Sequence, residues 1–302
     1  MLITTLPSAH KTYLIERMYS HPSIDGARYN VGIRTTYTPL AVLSYLKKVA
    51  EKHNTRLWID LKGRQLRITK WADPIYGDIE LNHGLEVDLP AKVFFRGNEW
   101  SNVVAVEGNR IVVDPDPKHA VGAGQAINII GNNLKIKGDY LTDTDKQYIE
   151  AAKRLGIHDY MLSFVEQEED LQAVRSLDPD SRLVLKIESP KGLTYTAQNY
   201  SAGRDGNLMA ARDDLMINIG DNKAEMLNAL ELIVQRDPDA IAASHIFISL
   251  STLGYLTMAD ISDLRLLHDM GYKHFMLSDD VSHRCFDGAM KAWQDFRQIK
   301  NG

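Results

Sequence analysis

Short runs of β-type residues recur eight times along this chain, at 2–6, 24–29, 57–61, 160–164, 183–187, 207–211, 240–245 and 274–277. Amphipathic stretches fall between most of them. Residues 39–52 carry Leu40, Leu43, Leu46 and Val49 at a spacing of three, the period of a helix buried on one side. Stretches 144–155, 168–177, 223–235, 259–270 and 286–299 have the same character, several of them starting after an Asp or Thr suited to an N-cap. Strand followed by helix, repeated, predicts parallel strands under a layer of helices. The order breaks once. Between Arg67 and Leu141 the helical period vanishes, and short β-rich pieces at 93–95, 103–106, 110–113 and 126–130 alternate with Gly, Pro and Asn turns. The expected fold is therefore α/β: a (β/α)8 TIM barrel, residues 1–67 and 138–302, with a small all-β cap domain, residues 68–137, inserted after strand 3. A doubly wound open sheet is the second choice.

Composition narrows the function classes. With 35 Lys+Arg against 40 Asp+Glu, the net charge of -5 argues against a broad grip on nucleic acid or on an anionic membrane. No apolar run approaches the roughly 20 residues needed to span a bilayer. The first ten residues lack the basic and apolar regions of a signal peptide, and the lone Cys285 excludes an internal disulfide, so the expected location is cytoplasmic.

In such a barrel the chemistry sits at the C-terminal ends of the strands. Arg28 and Asn30 follow the second run, Asp60 and Lys62 the third, Lys186 and Glu188 the fifth, and Arg212, Asp213 and Asp214 the sixth. Glu188 and Asp214, on neighbouring strands, suit a hard divalent cation, Mg2+ or Mn2+. Strand alternation sends Lys186 and Glu188 to the same side, placing a cation where it stabilises a phosphoryl group or an enolate, and Arg28 supplies a fork for an anion. A single Lys or Glu at a strand end is usually a solvated loop residue or half of a salt bridge. Together they weigh more, because burying several charges at one mouth is costly unless they are paired or bind something. His245 reads either as a proton donor or as a core histidine, and Asp279 with Asp280 as a helix N-terminal pair or a second cation site. Stretch 166–170 reads as a solvated helix start, 122–124 as a flexible turn without a P-loop signature, and Cys285 as structural.

The order of these motifs resembles that of the pyruvate kinase family. Ala27-Arg28-Tyr29-Asn30 is similar to the family's A-R-L-N, and residues 60–67 to D-T-K-G-P-E-I-R. Residues 141–145 resemble L-T-E-K-D, Ser163-Phe164-Val165 matches S-F-V, and Lys186-Ile187-Glu188 matches K-I-E. Residues 211–215 resemble A-R-G-D-L, and residues 243–260 align with the stretch from A-T-Q-M-L-E-S-M to P-T-R-A-E. Met276-Leu277-Ser278 matches M-L-S.

The resemblance implies a barrel with a β cap acting on phosphoenolpyruvate or a related phosphorylated or keto acid. It implies a divalent metal on Glu188 and Asp214, Lys186 at the phosphoryl group in flight, and Arg28 on the phosphate. Thr257 would lie near the proton path to the enolate carbon, and Arg67 near the phosphates of ADP or ATP. Asn30, Asp213, Ser244 and His245 would complete the substrate's surroundings, and a homodimer through barrel helices is implied as well.

Departures from the pattern are also visible. Gly32 and Leu61 stand where the family has potassium ligands, leaving Asn30 and Asp60 and arguing against a potassium site. Ile33, Arg34 and Gln65 alter the nucleotide side, and Asp213 replaces a glycine that holds the substrate carboxylate. The resemblance ends with the barrel, so the expectation is that the family's C-terminal regulatory domain is missing. Three readings follow: a phosphotransferase, a metal-dependent lyase or aldolase working through a pyruvate enolate, and a non-catalytic binding subunit.

Overall fold

The computed structural model describes residues 1–95 and 99–300. Its strands are β1 (Leu2–Thr5), β2 (Gly26–Asn30), β3 (Arg56–Leu61), β4 (Ile79–Glu80), β5 (Gly84–Glu86), β6 (Ala91–Phe95), β7 (Glu99–Glu107), β8 (Arg110–Asp114), β9 (Ile127–Ile130), β10 (Lys135–Lys137), β11 (Asp159–Leu162), β12 (Arg182–Ile187), β13 (Asn207–Ala211), β14 (Ile241–Ala243) and β15 (His274–Met276). Eight of them pair in parallel in the closed order β1-β2-β3-β11-β12-β13-β14-β15, and β15 returns to β1 with Ile3 opposite Met276. The closed ring replaces the open-sheet alternative.

Both faces of each barrel strand are buried, which is why the strands read as nearly continuous apolar runs. Ile3, Trp58, Met161, Val184, Met209, Ile241 and Met276 fill the barrel interior. Their sequence neighbours, such as Leu2, Leu57, Leu162 and Leu185, pack outward against the helices. Gly26 is required by this packing, since a Cβ there would lie 2.0 Å from the Trp58 ring. Alternation then decides the mouth. Two residues above Trp58 comes Asp60, and two above Val184 comes Lys186, so the inward row that is apolar at the bottom turns charged at the top.

Helix signals behave as their chemistry requires. Thr38 caps helix Pro39–Lys52 through Ala41 N, with Pro39 at the first turn, and Thr142 closes a capping box with Asp145 at helix Asp143–Arg154. Helices Thr12–Tyr19, Pro190–Gln198, Arg212–Asn218 and Asp279–Arg284 were not legible from periodicity. They run for two or three turns at most, too few for an apolar stripe to repeat. Asp170 corrects the expectation of a solvated helix start: it is fully buried and pairs with Arg64 at 2.5 Å. Cys285 donates to the Leu250 carbonyl at 3.2 Å, in keeping with a structural role.

Between β3 and β11 lies the expected β region. A five-stranded antiparallel sheet, β4-β8-β7-β6-β9, is accompanied by the pair β10-β5. It has a hydrophobic core of its own, including Leu81, Val93, Val103, Ile111 and Ile129. Among the described residues no helix is long and apolar enough to cross a membrane.

Candidate active site

A cavity of about 300 Å³ opens at the C-terminal ends of the barrel strands and is also lined by Gln125 and Ala126 of the inserted β region. At its floor two cations and two carboxylates interlock. Arg28, on β2, donates from Nε and Nη2 to Asp60 Oδ2 at 3.0 and 2.5 Å, and from Nη1 to Asp279 at 3.3 Å. Lys186, on β12, donates to Ser163 Oγ at 2.8 Å and stands 3.3 Å from Asp60 Oδ1 and 3.1 Å from Glu188 Oε1. Glu188 Oε2 accepts the Phe164 N–H at 2.7 Å, which the left-handed backbone of Phe164 (φ 53°) presents to it. Arg28 and Lys186 thus offset Asp60 and Glu188, the arrangement that makes such a buried group of charges tolerable.

The local fields follow from this geometry. Burial would raise the Asp60 carboxyl, but Arg28 and Lys186 hold it well below the usual carboxylate range. Burial opposes the Lys186 charge, yet Asp60 and Glu188 keep its ammonium above the ordinary lysine value. Burial pushes Glu188 up to about 7; Lys186 opposes this and the Asp214 charge adds to it. Burial, with the Arg67 guanidinium next, pushes the Lys62 amine well below its ordinary value.

Arg28, Asn30, Arg67, Lys186, Glu188, Asp213, Asp214 and Ser244 all border this cavity. Asp214 Oδ1 accepts from Asn128 Nδ2 at 3.2 Å. Arg67 reaches Gln65 Oε1 from Nε at 3.0 Å and the Gly124 carbonyl at 2.6 Å, tying the mouth to the cap turn. His245 stands at the rim, its Nε2 2.8 Å from Asp213 Oδ1. The strand expected to reach His245 stops at Ala243, because Ser244 and His245 both turn left-handed (φ 67° and 60°). Thr257 is placed elsewhere: it caps helix Met258–Met270, with Oγ1 2.8 Å from Asp260 Oδ2 and 3.0 Å from Ser249 Oγ, and does not line the cavity.

Some partnerships of the site escaped the sequence. Asp279 lies in the first turn of helix Asp279–Arg284 as expected, but that turn also aims it at Arg28, across 251 positions of chain. Asn128 carried no signal, since an Asn within a β run reads as a turn-former or an edge residue. Lys62 Nζ donates to Asn30 Oδ1, and the contact exists because residue 32 is glycine: a Cβ there would lie 2.4 Å from Lys62 Cε.

No family model matches the sequence. The pyruvate kinase of Borreliella burgdorferi is 23% identical over 284 residues, covering 85% of this chain and 58% of its own length. That of Thermoplasma acidophilum is 25% identical over 268 residues, covering 80% of this chain and 47% of its own length. In three dimensions the chain resembles a crystal structure of Cryptosporidium parvum pyruvate kinase, with a TM-score of 0.71 at 17% identity over 93% of this chain and 66% of that one. The chain is similar in sequence to pyruvate kinases and shares their fold. It spans about half the length of the pyruvate kinases matched by sequence.

The donor set of this site fits a hard divalent cation. Glu188 Oε1 is buried without a hydrogen bond, the Lys186 ammonium lying beside it out of hydrogen-bond alignment. Asp214, the other carboxylate, is near enough for its charge to raise Glu188. Glu188 and Asp214 would be the residues to hold a dication, whose charge would relieve both the orphaned atom and the repulsion.

Proposed function

We propose that the chain is a metal-dependent phosphotransferase of pyruvate kinase type, acting on phosphoenolpyruvate or a closely related phosphorylated acid with ADP or ATP as the other substrate, in the cytoplasm. The observation that carries this reading is the position of Lys186 Nζ, held by Asp60, Glu188 and Ser163 beneath the cavity bordered by Arg28 and Asp214. Phosphoryl transfer asks a protein mainly for positioning and charge stabilisation, and this floor offers both.

Glu188 and Asp214 would hold Mg2+ or Mn2+, which supplies positive charge to the substrate's phosphoryl and carboxylate oxygens. Arg28 binds the phosphate, its guanidinium already oriented by Asp60 and Asp279. Lys186 neutralises the phosphoryl oxygens during transfer, its charge maintained by its two carboxylates. Asp213, Ser244 and Asn30 bound the carboxylate end of the substrate, and Arg67 faces the acceptor from beneath the cap. We take residues 68–137 as a cap domain that excludes water from this floor, and residues 1–67 and 138–302 as the barrel that carries the chemistry. A homodimer through the barrel helices belongs to the same reading.

The lyase reading keeps support from one observation. Lys62 fills the space beside Asn30, so the surroundings that the resemblance assigns to a potassium ion carry an ammonium group instead. Phosphorus NMR of the protein with Mg2+, phosphoenolpyruvate and ADP decides between the two. The phosphotransferase reading expects loss of the phosphoenolpyruvate signal, abolished in Lys186→Ala. Unchanged phosphoenolpyruvate together with nucleotide-free release of pyruvate from 2-keto acids in Mn2+ would favour the lyase.

A further inference from the structure

A second cavity, of about 420 Å³, lies in the seam between the cap and the barrel, on the β11 and β12 side of the mouth. That volume suits a small organic molecule. Its walls are apolar, with Ile129, Leu134 and Ile136 supplied by the cap segment and Leu66 by the chain leading into it. One residue of the wall carries a buried polar atom that is unmet. Asn128 is 3% exposed and its Oδ1 has no hydrogen-bond partner among the described residues, while its Nδ2 is committed to Asp214 Oδ1 and to Asn218 Oδ1 at 3.4 Å. Because a carboxylate only accepts, Nδ2 must face Asp214, so the orphan is an acceptor that calls for a donor. Leaving it unmet is costly.

The rim adds a charge preference. Lys135 and Lys191 are both exposed there, Lys191 donating to the Leu134 carbonyl at 2.6 Å; Arg64 is already paired with Asp170, and Glu166, which accepts from Ser189, leaves the rim with a surplus of positive charge. We propose that this cavity binds an amphipathic anion: an aromatic or branched apolar body, one N–H or O–H donor for Asn128, and an acidic group at the two lysines.

Its position gives it a consequence for the active site. Asn128 and Phe164 both line this cavity, and each donates a hydrogen bond to one of the two carboxylates, Asn128 to Asp214 and Phe164 to Glu188. A ligand that shifts either wall therefore changes how the two carboxylates are held, and acts as an effector of metal affinity. Only this second part rests on the reading of Glu188 and Asp214 as metal ligands.

8-Anilinonaphthalene-1-sulfonate has all three features and serves as the probe. Fluorescence titration of the full chain is expected to show saturable binding to one site. Asn128→Leu should weaken it about tenfold, the cost of one buried hydrogen bond, and Ile130→Trp, which fills the cavity from the end of β9, should abolish it. Far-ultraviolet circular dichroism checks that both variants are folded. Binding that neither substitution alters would place the dye on other apolar surface and overturn the site. Manganese titration by electron paramagnetic resonance, with and without saturating dye, reads the coupling: a change in affinity of about threefold or more supports it, and identical curves overturn it. If no manganese binds at all, the metal reading fails and the coupling with it, while the dye titration still decides the cavity.

Discussion

The ammonium of Lys186 stands 3.1 Å from Oε1 of Glu188, two residues further along the same chain, with both side chains buried beneath the cavity. Strand alternation puts them on one side, and the closure of the barrel brings Asp60 to the other flank of the same ammonium, at 3.3 Å.

Removing that ammonium leaves buried Glu188 without the cation beside it, while Asp60 keeps Arg28. Lys186→Met is expected to lose about 3–5 kcal/mol of stability, as breaking a buried ion pair from one side does. Turnover of phosphoenolpyruvate should fall at least a hundredfold. Urea unfolding and a coupled assay measure the two, and wild-type turnover in the variant would remove Lys186 from the chemistry.

Glu188 sets a pH dependence whose sign is fixed by its raised value. Between the ordinary 4.5 and about 7 the native protein holds a proton that the unfolded chain has released. The metal-free protein therefore loses stability from this group as the pH rises through that window. Unfolding in EDTA from pH 4.5 to 8 should show this fall in wild type and a flatter profile in Glu188→Gln; equal slopes would contradict it.

Thr257 is engaged as a helix cap, so its substitution separates stability from catalysis. Thr257→Ala should cost about 1 kcal/mol, the usual value of an N-cap. Turnover should change by less than about threefold, because the energy of the lost cap is felt by the helix and not by bound substrate. A large fall in kcat at unchanged stability would return Thr257 to the proton path that the resemblance suggested.

Arg28 engages Asp60 through two nitrogens and Asp279 through the third. A lysine offers one point charge and cannot hold that fork. Arg28→Lys should raise the KM for phosphoenolpyruvate about tenfold or more, with a smaller effect on the nucleotide KM. Equal changes in both would show a general disturbance of the mouth.

The barrel was readable because its determinants are local. Each strand is a short apolar run, each long helix repeats its apolar residues at spacing three, and the lapse of that rhythm between Arg67 and Leu141 marks the inserted β region. Lys186 and Glu188 were readable for the same reason, since their shared side follows from two-residue periodicity within one strand.

The chain's order of residues determined by itself the α/β class, the strands of the ring and which charged side chains stand at their ends. Tertiary structure decided the partnerships: Asp279 with Arg28, Asn128 with Asp214, Lys62 with Asn30 through the gap at Gly32, and Thr257 with its own helix instead of the cavity. Periodicity records which side of an element a residue faces. Hydrogen bonds and ion pairs form only within about 3–4 Å, a distance fixed by how the ring closes and where the cap settles on it.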